Sequence, residues 1–72
     1  MNKLRIRTGD LLEINKCIYQ VRRVDVNHNI YYYYGDNVKR LNRFDFFRID
    51  RVYRKIKDNY ELIYEEVFAN DY

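Results

Sequence analysis

Ile30-Tyr31-Tyr32-Tyr33-Tyr34-Gly35-Asp36-Asn37 reads as a β-strand running into a turn. Tyr and Ile favour strands, and a Gly-Asp-Asn run supplies turn chemistry. Successive side chains of a strand point to opposite faces, so Ile30, Tyr32 and Tyr34 share one face while Tyr31 and Tyr33 share the other. One set packs inward and the other stands at the surface. Directly after the turn comes a run rich in arginine and phenylalanine, from Lys39 to Arg54. An aromatic face beside a basic run is the one functional signal in the chain.

Upstream, Leu4-Arg5-Ile6-Arg7 alternates apolar and basic residues as a short edge strand does. Thr8-Gly9-Asp10 is a turn by composition, and Leu11 to Ile14 is a second strand or its continuation. Asn15-Lys16 fits a two-residue hairpin turn. Cys17 to Val26 is the clearest strand, with Tyr19 and Val21 in one phase and Val24 and Val26 in the other. A phase break at Arg22-Arg23 predicts a β-bulge that bends the strand. Asn27-His28-Asn29 then turns the chain back into Ile30.

Downstream, Val38, Leu41 and Phe44 recur every three residues, which predicts a short helical turn from Val38 to Phe44, with Phe46 and Phe47 plugging the core. Ile49 to Ile56 and Tyr60 to Val67 flank Asp58-Asn59. Read as a hairpin, they set Tyr53 opposite Tyr64 and Arg51 opposite Glu66. Read as a helix, Ile49, Tyr53, Ile56, Tyr60, Ile63 and Val67 form a heptad seam. A third reading ends the strand at Ile56 and starts a helix at Asp58, capped through Glu61. Strand propensity and the helix cost of Asp58-Asn59 favour the hairpin.

Short strands with turn signals every ~8–12 residues predict a mainly β fold, a small antiparallel barrel with one short helical turn. The alternative is α+β, a short antiparallel sheet followed by a C-terminal helix from about Asp45 or Asp58. The order of two hairpins, a helical turn and a last strand or hairpin resembles an SH3-like barrel in layout, without a shared sequence motif.

At 72 residues the chain is expected to form one domain, residues 1–72. A domain of this size buries only about 60% of the surface its unfolded chain exposes, so each large side chain matters. Its 47% apolar and 18% aromatic content argues against disorder despite 35% charge. One cysteine, Cys17, makes no internal disulfide and, with one histidine, no zinc site. No apolar run has the length of a membrane span. A cytoplasmic protein is expected, in the host cytoplasm if the gene is viral. Asn, Lys, Ile, Tyr and Phe supply 33 residues, all with A/T-rich codons, a bias that fits a phage or plasmid gene.

The net charge of +3 is unevenly spread: residues 39–57 carry eight bases and two acids, and residues 58–72 five acids and no base. Blocks of this kind matter more than the sum. Exposed aromatics beside arginines offer base stacking, about 1–3 kcal/mol per base, together with phosphate contacts. Tyr31 and Tyr33 are the stacking candidates, or Tyr32 and Tyr34 if the faces are reversed. Lys39, Arg40, Arg43, Arg48, Arg51 and Arg54 are the phosphate candidates, with Lys55 in support. Against this, Asp58, Glu61, Glu65 and Glu66 are placed to fold back on Arg51, Arg54 and Lys57 and neutralise part of the patch.

The function expected is therefore a non-enzymatic binding or regulatory domain that takes DNA or RNA. Protein binding is its equal, as an inhibitor of a larger protein or as a homodimer, because Tyr and Arg are interface-enriched and an edge strand can extend a partner's sheet. No cofactor, metal or membrane is called for. Catalysis has little to work with: there is no serine, Thr8 is the single threonine, and His28 lies in an Asn-rich turn. Asp45 and Asp50 sit among arginines, where ion pairing outranks paired-carboxylate chemistry.

Overall fold

The computed structural model describes residues 5–65, which form six antiparallel strands in one sheet and one short 3-10 helix. The strands are β1 (Leu11–Ile14), β2 (Cys17–Val24), β3 (Ile30–Tyr34), β4 (Asn37–Leu41), β5 (Arg51–Ile56) and β6 (Asn59–Glu65), and the helix η1 (Arg43–Arg48) joins β4 to β5. Their order across the sheet is β4-β3-β2-β1-β5-β6. No helix among the described residues is long and apolar enough to cross a membrane.

Turn chemistry sets the hairpins. Asn15 and Lys16 both take positive φ (52° and 67°), which matches the twist of β1 and β2 in a two-residue loop. Gly35, at φ 61°, does the same between β3 and β4. The bulge in β2 falls where the phase break predicts it, between Val21 and Arg23. It divides the strand: Cys17–Gln20 pairs with β1, and Val21–Val24 pairs with β3. A bulge increases bend and twist, so the two halves of the sheet turn toward each other over a common interior. That interior holds Ile6, Leu12, Ile14, Val21, Ile30, Leu41, Ile49 and Val52, with Tyr19, Tyr32, Phe46 and Tyr64 packed around it.

The sheet is not a closed barrel, which corrects the expected closure. Its edges are β4 and β6, and they do not pair with each other. Only Leu41 of β4 is buried, and no residue of β6 is. Lys39 and Arg40 on one edge and Glu61 and Glu65 on the other stay exposed, and charges of this kind keep edges open to water.

Four further expectations change. Val38 to Leu41 is strand and not helix, because the tight Gly35-Asp36 turn delivers Asn37 into register with Tyr34 and the ladder continues to Leu41 opposite Ile30. The helical turn falls later, at Arg43–Arg48. Phe47 is 71% exposed and plugs nothing; of the two phenylalanines assigned to the core, only Phe46 packs there. Arg5 to Arg7 make no strand, although Ile6 is buried in the core; Leu4 lies outside the described residues.

Residues 51–65 form the hairpin, so neither the heptad helix nor the α+β alternative is present among the described residues. A bulge between Val52 and Tyr53 shifts its register: Tyr64 faces Val52 and Leu62 faces Tyr53. Arg51 faces Glu65, and the expected partner Glu66 lies outside the described residues, as does Val67.

Candidate nucleic-acid interface

Cross-strand partners share a face, so the register places the candidate side chains. Tyr31 stands opposite Arg40 on β4 and Arg23 on β2. Tyr33 stands opposite Val38. These five residues share the outer face of β2-β3-β4, away from the core that Ile30 and Tyr32 enter. The faces follow the alternation of β3 with Tyr31 and Tyr33 outward.

The outer face is built around Tyr31. The Arg23 guanidinium lies 3.8 Å from the centre of its ring, a cation–π contact that fixes both groups. Its hydroxyl donates to Asp25 Oδ2 at 3.2 Å. Asp25 also accepts from the backbone N–H groups of Asn27 (2.9 Å) and Asn29 (3.0 Å) and from Asn29 Nδ2 (3.3 Å). Desolvation pushes the Asp25 carboxyl up, but these donors outweigh it and hold its pKa below the ordinary aspartate value. Tyr31 is thus half-buried and held on one ring face and at its hydroxyl, whereas Tyr33 is 45% exposed. Tyr33 is the freer platform.

Arg23 and Arg40 are both exposed, and among the described residues neither has a carboxylate within ion-pairing distance. The sequence reading missed Arg23. The signal was there: the phase change at the bulge puts it on the same face as Tyr31.

Lys39 lies on the opposite face, its ammonium 3.9 Å from the centre of the Tyr34 ring. Tyr34 stacks on Tyr19 at 5.7 Å, and Tyr19 meets Tyr32 at 5.1 Å, so the inward tyrosines form one cluster continuous with the core. Burial, then the Cys17 thiol and the neighbouring Tyr34 and Tyr32, raise the Tyr19 phenol above its ordinary pKa.

Arg43 and Arg48 sit at the two ends of η1. The Arg43 backbone N–H donates to Asn29 Oδ1 at 3.3 Å, which ties the start of η1 to the loop that carries Asp25. The Arg43 side chain lines a cavity with Val24, Ile30, Phe46 and Ile49, and its guanidinium lies 4.9 Å from the centre of the Phe44 ring.

Arg51 and Arg54 are engaged elsewhere. Arg51 bonds Glu13 Oε2 and Glu65 Oε2, both at 3.0 Å, and these partners raise its pKa. Arg54 holds Asp10 through two nitrogens, at 3.0 and 2.9 Å, and donates to the Arg5 carbonyl. The fold-back of C-terminal acids is therefore seen at Glu65 with Arg51, while Arg54 takes its acid from the N-terminal side. The register brings together Arg23, Tyr31, Tyr33 and Arg40, sets Lys39 on the opposite face, and leaves Arg43 and Arg48 on η1 and Arg51 and Arg54 on β5.

His28 stands exposed in the β2–β3 loop at positive φ (67°). Among the described residues no three His, Cys, Asp or Glu side chains are grouped as a metal would need. Comparison of the chain with known protein families, curated proteins and solved structures returned no match.

Proposed function

We propose that this chain is a non-enzymatic nucleic-acid-binding domain, acting through the outer face of β2-β3-β4 and the adjoining η1. The observation that carries this reading is the row Arg23–Tyr31–Arg40, two guanidiniums that have no acidic partner among the described residues, on either side of a fixed aromatic ring. Such a row offers charge to phosphates and an aromatic edge to bases, and Tyr33 extends it by one exposed ring. The strand order, with η1 between β4 and β5 and β5 beside β1, supports an SH3-like layout left open at its edges, to which β6 is added.

A protein partner remains the second reading, favoured by a different surface. Ile18, Leu62 and Tyr60 are 50%, 47% and 44% exposed, and the register puts them on the outer face of β2-β1-β5-β6. There the charge of Arg51 is already neutralised by Glu13 and Glu65. The two readings separate by substitution. By fluorescence anisotropy with a labelled oligonucleotide, Arg40→Ala weakens binding about 5-fold at low salt, the loss of about one phosphate contact. Arg51→Ala leaves it unchanged. Equal losses for the two variants would remove the outer face of β2-β3-β4 from the account.

A further inference from the structure

The two most exposed aromatic side chains of the described residues are Phe44, at 77%, and Phe47, at 71%, both on η1. A 3-10 helix has three residues per turn, so side chains three apart eclipse and the helix shows three ridges. One ridge is Arg43 and Phe46, of which Phe46 packs on the core. The second is Phe44 and Phe47, which the anchored Phe46 turns outward. The third is Asp45 and Arg48. The turn is fixed at both ends, by Asp45 N–H on the Asn42 carbonyl and Ile49 N–H on the Phe46 carbonyl. Both rings are therefore presented to solvent from one side of a turn that these two bonds hold.

Isolated exposed apolar side chains are ordinary, but here their surroundings specify a partner. Arg43 lies with its guanidinium 4.9 Å from the centre of the Phe44 ring, Arg48 ends the helix, and Arg40 lies three residues before it. Asp45 is the one acid within η1. Aromatic faces interleaved with cations match bases interleaved with phosphates. Bases inside a duplex are already stacked on each other and cannot reach a side-chain ring, whereas unpaired bases can.

Resting on the reading of the neighbouring face as a phosphate-contacting surface, we propose that Phe44 and Phe47 form a stacking platform for unpaired bases, so that the nucleic acid taken is single-stranded. The row Arg23–Tyr31–Arg40 then tracks the sugar–phosphate chain, and η1 reads the bases without sequence preference.

The test compares an oligothymidylate of about 12 nucleotides with a duplex of the same length by anisotropy, with light scattering on the same samples. The wild-type chain is expected to favour the single strand by at least about 10-fold. Phe44→Ala with Phe47→Ala is expected to lose about 100-fold on the single strand and to leave duplex binding unchanged. Phe44→Leu with Phe47→Leu keeps the apolar bulk without the rings and is expected to show the same loss. That pair decides the matter if the alanine variant melts early.

Equal affinity for both oligonucleotides, untouched by either variant, would overturn the stacking platform while the phosphate-contacting face stands. No binding of either oligonucleotide by the wild type would overturn both. A wild-type dimer that the phenylalanine variants dissociate would assign the two rings to a second copy of this chain and also overturn the proposal.

Discussion

Replacing Arg54 by alanine is expected to destabilise the fold by about 3–5 kcal/mol, the cost of leaving a buried carboxylate without its cation. Asp10 is 2% exposed, and its two oxygens are satisfied by Arg54 Nε and Nη2 and by the Arg7 N–H. Its own carbonyl accepts from Val21 N–H at 2.8 Å, while Gly9 N–H donates to the Val21 carbonyl at 2.9 Å. The Asp10 turn is thus stitched to the point where β2 bends, and Arg54 stitches it to β5. A chain of this length has about 4–11 kcal/mol of stability in total, so the loss is a large share of it.

Arg51→Ala serves as the comparison. Its bonds are of the same length, but Arg51 is 39% and Glu65 41% exposed at the side chain, so solvent screens that pair. Glu13, 14% exposed, keeps the Tyr53 hydroxyl as a donor when Arg51 is removed. Urea denaturation followed by tyrosine fluorescence should show a midpoint far lower for Arg54→Ala than for Arg51→Ala. Equal midpoints would mean that Asp10 finds another donor, and that the pair does not anchor the N-terminal segment.

The second large effect concerns binding. Arg23→Glu combined with Arg40→Glu places two carboxylates on either side of Tyr31. Both positions are exposed, so the thermal transition should move little. Affinity for an oligonucleotide at about 100 mM salt should fall at least ~100-fold, because two phosphate attractions become repulsions. Lys55→Glu with Lys57→Glu makes the same change in net charge at the far β5–β6 hairpin, where both lysines are exposed. It should cost only a few-fold through the general field. Equal losses in the two variants would mean that binding follows net charge and has no defined surface.

The β1–β2 hairpin, the turn after Tyr34 and the bulge were legible in the sequence because their causes are local. Asn15-Lys16 and Gly35-Asp36 are short turns whose residues tolerate positive φ, and the phase break at Arg22-Arg23 shows in the alternation itself. The boundary between β4 and η1 was not legible. Val38, Leu41 and Phe44 recur every three residues, and that spacing fits a helical turn until the Gly35-Asp36 hairpin claims Asn37 to Leu41 for β3. Nor could periodicity tell that Phe47 points outward, since that follows from which ridge of η1 meets the core.

The split of the arginines into engaged and unengaged sets was hidden for another reason. Arg54 meets Asp10 across 44 residues and Arg51 meets Glu13 across 38, pairings that only the β1–β5 ladder creates. Within the candidate surface, strand alternation paired Tyr31 with Tyr33 and Tyr32 with Tyr34 but left open which pair faces outward, because that depends on the side of β3 that meets the core with Ile30. The neighbour Arg23 was readable in principle from the bulge.

The most direct measurement is the salt dependence of single-strand binding. With Arg23, Arg40, Arg43 and Arg48 on phosphates, log K should fall with log salt at a slope of about −3, and the Arg23→Glu/Arg40→Glu variant should retain roughly half of that slope. A wild-type affinity that does not change with salt, or a variant that keeps the full slope, would contradict the assignment of this face to nucleic acid.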